Sequence, residues 1–392
     1  MENQVPAPAQ PPSLARLFLS FFRLGLTAFG GPAMVSFIRK MTVQDKKWLN
    51  DDAFRAGVAL CQAVPGATAM QTTAFVGLQL RGVRGAAVSF IGFGLPAFIL
   101  MFGLSFLYAR FQSLPAVTAV FGGLRALIVA LIAHASVTFG RSYLKRWRDL
   151  VIVACAAALF WFGLTPILVV AAAAALGIGL SFGRNQPSKA PVMVRARFHL
   201  GPLIAILGSA ALVLVLLFVF DRKLLQLSLL MMKVDLFAFG GGFASIPLML
   251  HDIVDVRHWM GQKAFMDGIA LGQITPGPVV ITSTFVGYMV RGPLGALIAT
   301  LSIFLPSFVI VIATAPFFTR LTAFPFFRKA IDGILCSFIG LLVVTAVRLG
   351  LAVPWTIPYA ILAAAAFAAL MLKVDLIWII TSGAAISLLL PR

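Results

Sequence analysis

The residues best placed to do chemistry are glycines and prolines that interrupt apolar runs, with amides and hydroxyls beside them. Leu26-Thr-Ala-Phe-Gly-Gly-Pro32 sets Gly30 and Gly31 inside one run, and Gln62-x-x-Pro65-Gly66, followed by Thr68, breaks the next. Both breaks recur as Leu236-Phe-Ala-Phe-Gly-Gly-Gly242, which holds Gly240 and Gly241, and as Gln273-x-x-Pro276-Gly277-Pro278. A helix broken inside a bilayer exposes backbone N–H groups and a positive dipole end, which suits an anion. Such backbone survives at membrane depth only when enclosed in protein or lining a wet cavity. A lone Gly-Gly is more simply a kink or a close helix contact; duplication of both breaks favours a binding site. Gln71, Thr72 and Thr73 in the first copy, and Thr275, Thr282, Ser283 and Thr284 in the second, can complete a hydrogen-bonding shell for an oxyanion.

Charges inside apolar segments are costly and point to function by default. Arg125 is the candidate to neutralise a bound anion, while Arg23 either does the same or snorkels to an interface. Lys233 and Asp235 precede the second Gly-Gly; they pair with each other, or Asp235 carries a coupling proton. Asp267 and Asp332 lie near segment ends and read as solvated. The four histidines are scattered, and P-loop, His/Cys ligand spacing and nucleophile elbow are all missing from the sequence. The expectation is therefore no metal, no cofactor and no enzyme, with energy drawn from an ion gradient.

The elements that position these residues are membrane helices. Of 392 residues 61% are hydrophobic and 11% charged, with mean hydropathy +1.02, whereas soluble domains are about a quarter charged. Lys and Arg outnumber Asp and Glu by 31 to 12. Most basic residues lie between apolar runs, so the excess reads as the positive-inside rule and not as a nucleic-acid surface. Cys61, Cys155 and Cys336 lie in apolar stretches and imply no disulfide framework.

Thirteen apolar segments run from 14–36 to 375–390, and the polar stretch 183–199 separates two halves that match at an offset of about 210 residues. Trp48 and Phe54 recur as Trp259 and Phe265, Pro96 as Pro306, and Phe75-Val-Gly-x-x-x-Arg-Gly-x-x-Gly85 as Phe285-Val-Gly-x-x-x-Arg-Gly-x-x-Gly295. The chain divides into a disordered tail (1–13), a first domain (14–182), a polar linker with a connecting helix (183–223) and a second domain (224–392). The fold class is all-α polytopic, with two six-segment halves as an inverted repeat around one linking helix and about 13 membrane segments, some broken or re-entrant. With every segment crossing, basic residues divide 17 to 10 in favour of a cytoplasmic N-terminus, but the basic loop 39–47 falls on the wrong side. Segments 53–80 and 265–290 are alternatively re-entrant, which leaves eleven crossings and parallel halves.

Taken together, F-G-G near the start of each half, the downstream Trp, Q-x-x-P-G, F-V-G-x-x-x-R-G-x-x-G, Pro96 and Pro306 resemble the chromate ion transporter family, long-chain two-domain type. The resemblance implies antiparallel fused domains and export of chromate, a tetrahedral dianion, across the inner membrane, with resistance as the outcome. Sulfate, of the same shape and charge, is the expected competitor or alternative cargo. Partners are then the anion and the lipid bilayer, with a homodimer among the expected assemblies. A membrane-embedded enzyme is the remaining alternative. The first copy departs from the fuller motif, having Pro65-Gly66-Ala67 where the second has Pro-Gly-Pro.

Overall fold

The computed structural model describes residues 12–29, 33–180, 200–317 and 325–389, and among them every regular element is helical. The first half holds α1 (Leu14–Thr27), α2 (Ala33–Arg39, running into a π-turn Lys40–Asp45), α3 (Asp51–Ala63), α4 (Thr68–Phe111), α5 (Pro115–Tyr143), α6 (Trp147–Trp161) and α7 (Pro166–Leu180). After the linking α8 (Leu200–Phe220), the second half repeats the order. It holds α9 (Arg222–Phe237), α10 (Ser245–Met249, with a π-turn Leu250–Val256), α11 (Gln262–Ile274), α12 (Thr282–Thr314), α13 (Pro325–Leu351), α14 (Ile357–Met371) and α15 (Leu376–Leu389). Helix starts follow ordinary capping chemistry: Ser13, Asn50 and Asp221 accept from backbone N–H groups of α1, α3 and α9.

Helix α4 is a hairpin and not a rod. Arg81 and Gly82 leave helical geometry, with Gly82 at φ 62° and ψ −155°, a region open essentially to glycine alone. The Ser89 hydroxyl donates to the Thr73 carbonyl at 2.8 Å, although sixteen residues of straight helix would separate them by about 24 Å. Gly77 and Gly85 face each other across the turn so closely that a Cβ on either would strike the other's carbonyl. In α12, Arg291 and Gly292 make the same turn, Gly287 faces Gly295, and the Thr284 and Thr300 hydroxyls meet at 2.7 Å.

The apolar segments carrying the breaks also turn back. Gly57 of α3 lies against the ring of Phe75 on the short arm of α4, and Gly268 of α11 against Phe285 on the short arm of α12. Segments 53–80 and 265–290 are therefore helical hairpins with tips at the Pro-Gly pairs. The sequence reading has 14–36 and 224–250 as crossings; in the second of these the structure has two helices side by side and not one rod. Lys233 of α9 pairs with Asp252 at 2.8 Å, and Arg257 reaches back to Gln226, so α9 and α10 stand side by side. In the first half, Arg39 at the foot of α2 pairs with Asp51 at the foot of α3. Helix α1, with 14 residues, spans about 21 Å, shorter than a hydrocarbon core of about 30 Å.

The long arms of α4 and α12 pack antiparallel through the centre. Phe90 of the α4 long arm contacts Phe304 and Phe308 of the α12 long arm, with ring centroids 6.0 and 5.0 Å apart, while Tyr108, late in α4, reaches Phe285 on the α12 short arm at 5.1 Å. By length and composition, Thr68–Phe111, Pro115–Tyr143, Leu200–Phe220, Val279–Phe317 and Lys329–Leu351 are long and apolar enough to cross a membrane. The shorter apolar helices α7, α14 and α15 flank α5 and α13, and α8 lies mostly exposed on the outside.

Candidate anion site

The two Pro-Gly tips each bond to backbone of the opposite half. The Gly66 N–H donates to the Ala238 carbonyl at 3.0 Å, and the Gly277 N–H donates to the Ala28 carbonyl at 2.9 Å. Each Pro-Gly break is thus closed by the backbone just before the other half's Gly-Gly break. Gly66 and Gly277 adopt φ of 122° and 120°, and Gly240 and Gly241 have φ of 86° and 99°, conformations that L side chains rarely take.

Around this meeting point lies a cavity of about 410 Å³, room for roughly a dozen waters at ~30 Å³ each. Gln62, Ala67, Thr68 and Ala69 form one wall, Gly240 to Phe243 with Pro278 and Val279 a second, and Met34, Val35 and Ser36 of α2 a third. Thr138, Phe139, Ser142 and Tyr143, at the end of α5, mark its mouth. Among the described residues no charged side chain lines it. Hydroxyls and one amide line it, and three helix starts border it. The short arm of α4 begins at Thr68 with no side-chain cap, a 3-10 turn begins at Gly242, and a second 3-10 turn begins at Val279 and leads into α12. The first N–H groups of a helix have no intrahelical acceptor. Three helix starts therefore border one space.

The chromate transporter family profile matches residues 15–178 and again 225–388. The chain belongs to the chromate transporter family. It is 32% identical over 351 residues to a chromate transport protein of Pseudomonas aeruginosa, covering 86% of this chain and 82% of that one. It is 31% identical over 335 residues to one of Cupriavidus metallidurans, covering 84% and 80%. An uncharacterized transporter of Methanocaldococcus jannaschii is 40% identical over 373 residues, 94% of this chain and 92% of that one. No solved structure matches significantly. The protein is a multi-pass membrane protein of this transporter family.

Of the residues singled out from sequence, the transporter brings Gln62, Thr68, Gly240 and Gly241 to the cavity. Gly66 and Gly277 sit at the tips, Pro65 accepts from the Gln71 amide at 2.6 Å, and Pro276 is buried. Gly30 and Gly31 lie outside the described residues. Gln273, the counterpart of Gln62, is 6% exposed and its amide nitrogen has no hydrogen-bond partner.

Arg125 is elsewhere. Its Nε and Nη2 donate to the two oxygens of Asp267 at 2.7 Å each, and the Tyr108 hydroxyl adds a third bond at 2.8 Å. Asp267 is buried, at 1% exposure, and not solvated as its place near a segment end implied. Lys233 pairs with Asp252, leaving Asp235 to Ser307. Sequence reasoning missed the Arg125–Asp267 pairing because the partners lie 142 residues apart. The repeat holds the one available signal, an intramembrane Arg and an Asp both lacking counterparts, with Leu335 and Ala56 in their places.

The halves are also packed unequally. Helix α11 and its neighbour α10 lie against α5, α13 and α15, and every residue from Phe265 to Gln273 is buried. On α3 the equivalent face stays open, with Arg55, Ala59 and Gln62 exposed. The cavity occupies the gap on the first-half side. On the second-half side the gap is closed by the Arg125–Asp267–Tyr108 cluster and by Arg348, which bonds Asp255 and the Phe160 carbonyl, both at 3.0 Å.

Proposed function

We propose that the chain is a secondary transporter that exports chromate, binding it in the cavity where the hairpin tips meet. One observation carries the reading: three helix starts without side-chain caps and the Gly240–Gly241 turn border one cavity that no charged side chain lines among the described residues. Fixed N–H dipoles hold a dianion with many directed bonds and release it without a buried counter-ion to break. Thr68 and Gln62 supply further donors.

In this reading the four break-bearing segments re-enter, leaving nine crossings: four in each half and α8 between. Nine segments, with five between corresponding points of the repeat, invert the second half. Re-entry also resolves the charge conflict. Connectivity then puts twenty of the 31 Lys and Arg residues at the end that holds Arg81 and the 39–47 loop. Eight lie at the opposite end, and Arg23, Arg125 and Lys233 lie between. By the positive-inside rule the Arg81 end is cytoplasmic, and the cavity mouth at Ser142 and Tyr143 opens toward it. Export follows by alternating access: the first-half hairpins close over the anion while the second-half hairpins leave α5 and α13. Membrane potential or a proton gradient drives the cycle, and resistance results from keeping chromate out of the cytoplasm.

The test is purified protein in liposomes with labelled chromate and sulfate under imposed voltage and pH gradients. Wild type should move chromate, with sulfate competing, and Gly240→Leu should abolish flux at equal incorporation. Undiminished flux in Gly240→Leu removes the site, and movement of sulfate with exclusion of chromate removes the cargo.

A further inference from the structure

The two Pro-Gly tips are built alike but finished differently. Gly66 and Gly277 share φ near 120°, and the residues after them, Ala67 and Pro278, have φ of −75° and −72°. Ala67 carries an N–H that Pro278 lacks. That N–H donates to the Ser307 hydroxyl at 2.9 Å. The hydroxyl donates in turn to Asp235 Oδ1 at 2.9 Å, and the Ser307 backbone N–H donates to Oδ2 at 2.7 Å. Ala67, Ser307 and Asp235 are all buried, and none of the ion pairs among the described residues includes Asp235.

At the corresponding places of the other tip stand Ala97 for Ser307 and Gly25 for Asp235. The correspondence is spatial as well: a Cβ on Gly66 would strike the Ser307 hydroxyl, and one on Gly277 would strike the Ala97 methyl. Where the tip has an N–H to satisfy, a hydroxyl and a carboxylate are present; where proline removes the N–H, both are absent. An unpaired buried N–H is costly, and proline fixes φ at the value both tips use.

We infer that Asp235 and Ser307 are positioning residues that hold the Pro65-Gly66-Ala67 tip in the geometry Pro278 gives its counterpart. Their work is to aim the Thr68 and Ala69 N–H groups at the cavity. Asp235 is therefore dispensable once Ala67 is proline and Ser307 is alanine. This rests on the anion site proposed above.

The experiment compares wild type, Asp235→Ala, Ala67→Pro and the triple variant Ala67→Pro/Ser307→Ala/Asp235→Ala in liposomes, following flux, its drive by a pH gradient, and detergent melting. Asp235→Ala should lose about tenfold or more in kcat/KM, chiefly through KM. Ala67→Pro alone should be impaired, because the proline ring meets the Ser307 hydroxyl. The triple variant should return to within about threefold of wild type, with unchanged response to the pH gradient and restored melting temperature. Three results overturn the inference: full flux in Asp235→Ala, a folded triple variant without flux, or a triple variant that transports but ignores the pH gradient. The last would make Asp235 the coupling group. Should wild type move neither anion, the anion site fails, while the melting series still decides whether proline replaces the network.

Discussion

Removing Asp267 should open the transporter on the side that the structure shows closed. The carboxylate accepts two charge-assisted bonds from Arg125 and one from Tyr108, all within 2.8 Å, and its partner guanidinium is 14% exposed. Asp267→Ala leaves that guanidinium buried and uncompensated, a cost of about 3–5 kcal/mol. The bonds tie α5 to α11, so the penalty falls on the state in which these helices touch. At 1.4 kcal/mol per tenfold, a shift of ~3 kcal/mol is about a hundredfold in the balance between closed and open. The reporter is a cysteine at buried position 273, in a background lacking Cys61, Cys155 and Cys336, labelled by a membrane-impermeant thiol reagent from the Arg348 side. Labelling should accelerate by one to two orders of magnitude in Asp267→Ala. In Arg125→Leu/Asp267→Ala, which copies Leu335 and Ala56 of the other half, it should fall back toward wild type. Wild-type labelling in folded Asp267→Ala would show that this cluster does not hold the far side shut.

Three further outcomes are expected. Thr68→Val keeps the shape of the cavity wall and removes one hydroxyl, so KM for the anion should rise about threefold to tenfold, from the 0.5–1.5 kcal/mol of one hydrogen bond; an unchanged KM excludes Thr68 from the anion's shell. Gly82→Ala adds a methyl with nothing within 4 Å, so its cost is backbone strain alone, about 1–3 kcal/mol in unfolding free energy. At the mouth of α9, the Leu224 N–H and then Arg291 hold the Asp221 carboxyl below the usual carboxylate range. A carboxyl with a lower folded than unfolded pKa stabilises above about pH 4 and loses that contribution as pH falls. Asp221→Asn should therefore melt earlier than wild type at pH 7, and the gap should shrink as the pH falls below about 4.

Much of this architecture was legible in the sequence because the repeat is carried by Gly, Pro, Gln, Trp and Arg, whose backbone roles survive translation into structure. Arg81-Gly82 and Arg291-Gly292 sit where apolar segments part, and both proved to be reversals. What stayed hidden was the folding of 224–250 as two helices side by side. Hydropathy sums the two sides of a tip, so two short antiparallel helices imitate one crossing. A membrane charge without a local partner, such as Arg125, invites a place beside the anion. Its partner came instead from the other half, and neither residue has a counterpart in the repeat to betray it. The helix starts that border the cavity have no side-chain signature beyond the glycines beside them.

The exchanged bonds at the centre, Gly66 to Ala238 and Gly277 to Ala28, place a demand on assembly. Neither half can satisfy the N–H of its own Pro-Gly tip; each depends on a carbonyl from the other. A half made alone would present an unanswered donor at membrane depth, where lipid offers no substitute. The duplicated chain thus behaves as a dimer made permanent by α8, and the site it encloses comes into being only when both halves have arrived.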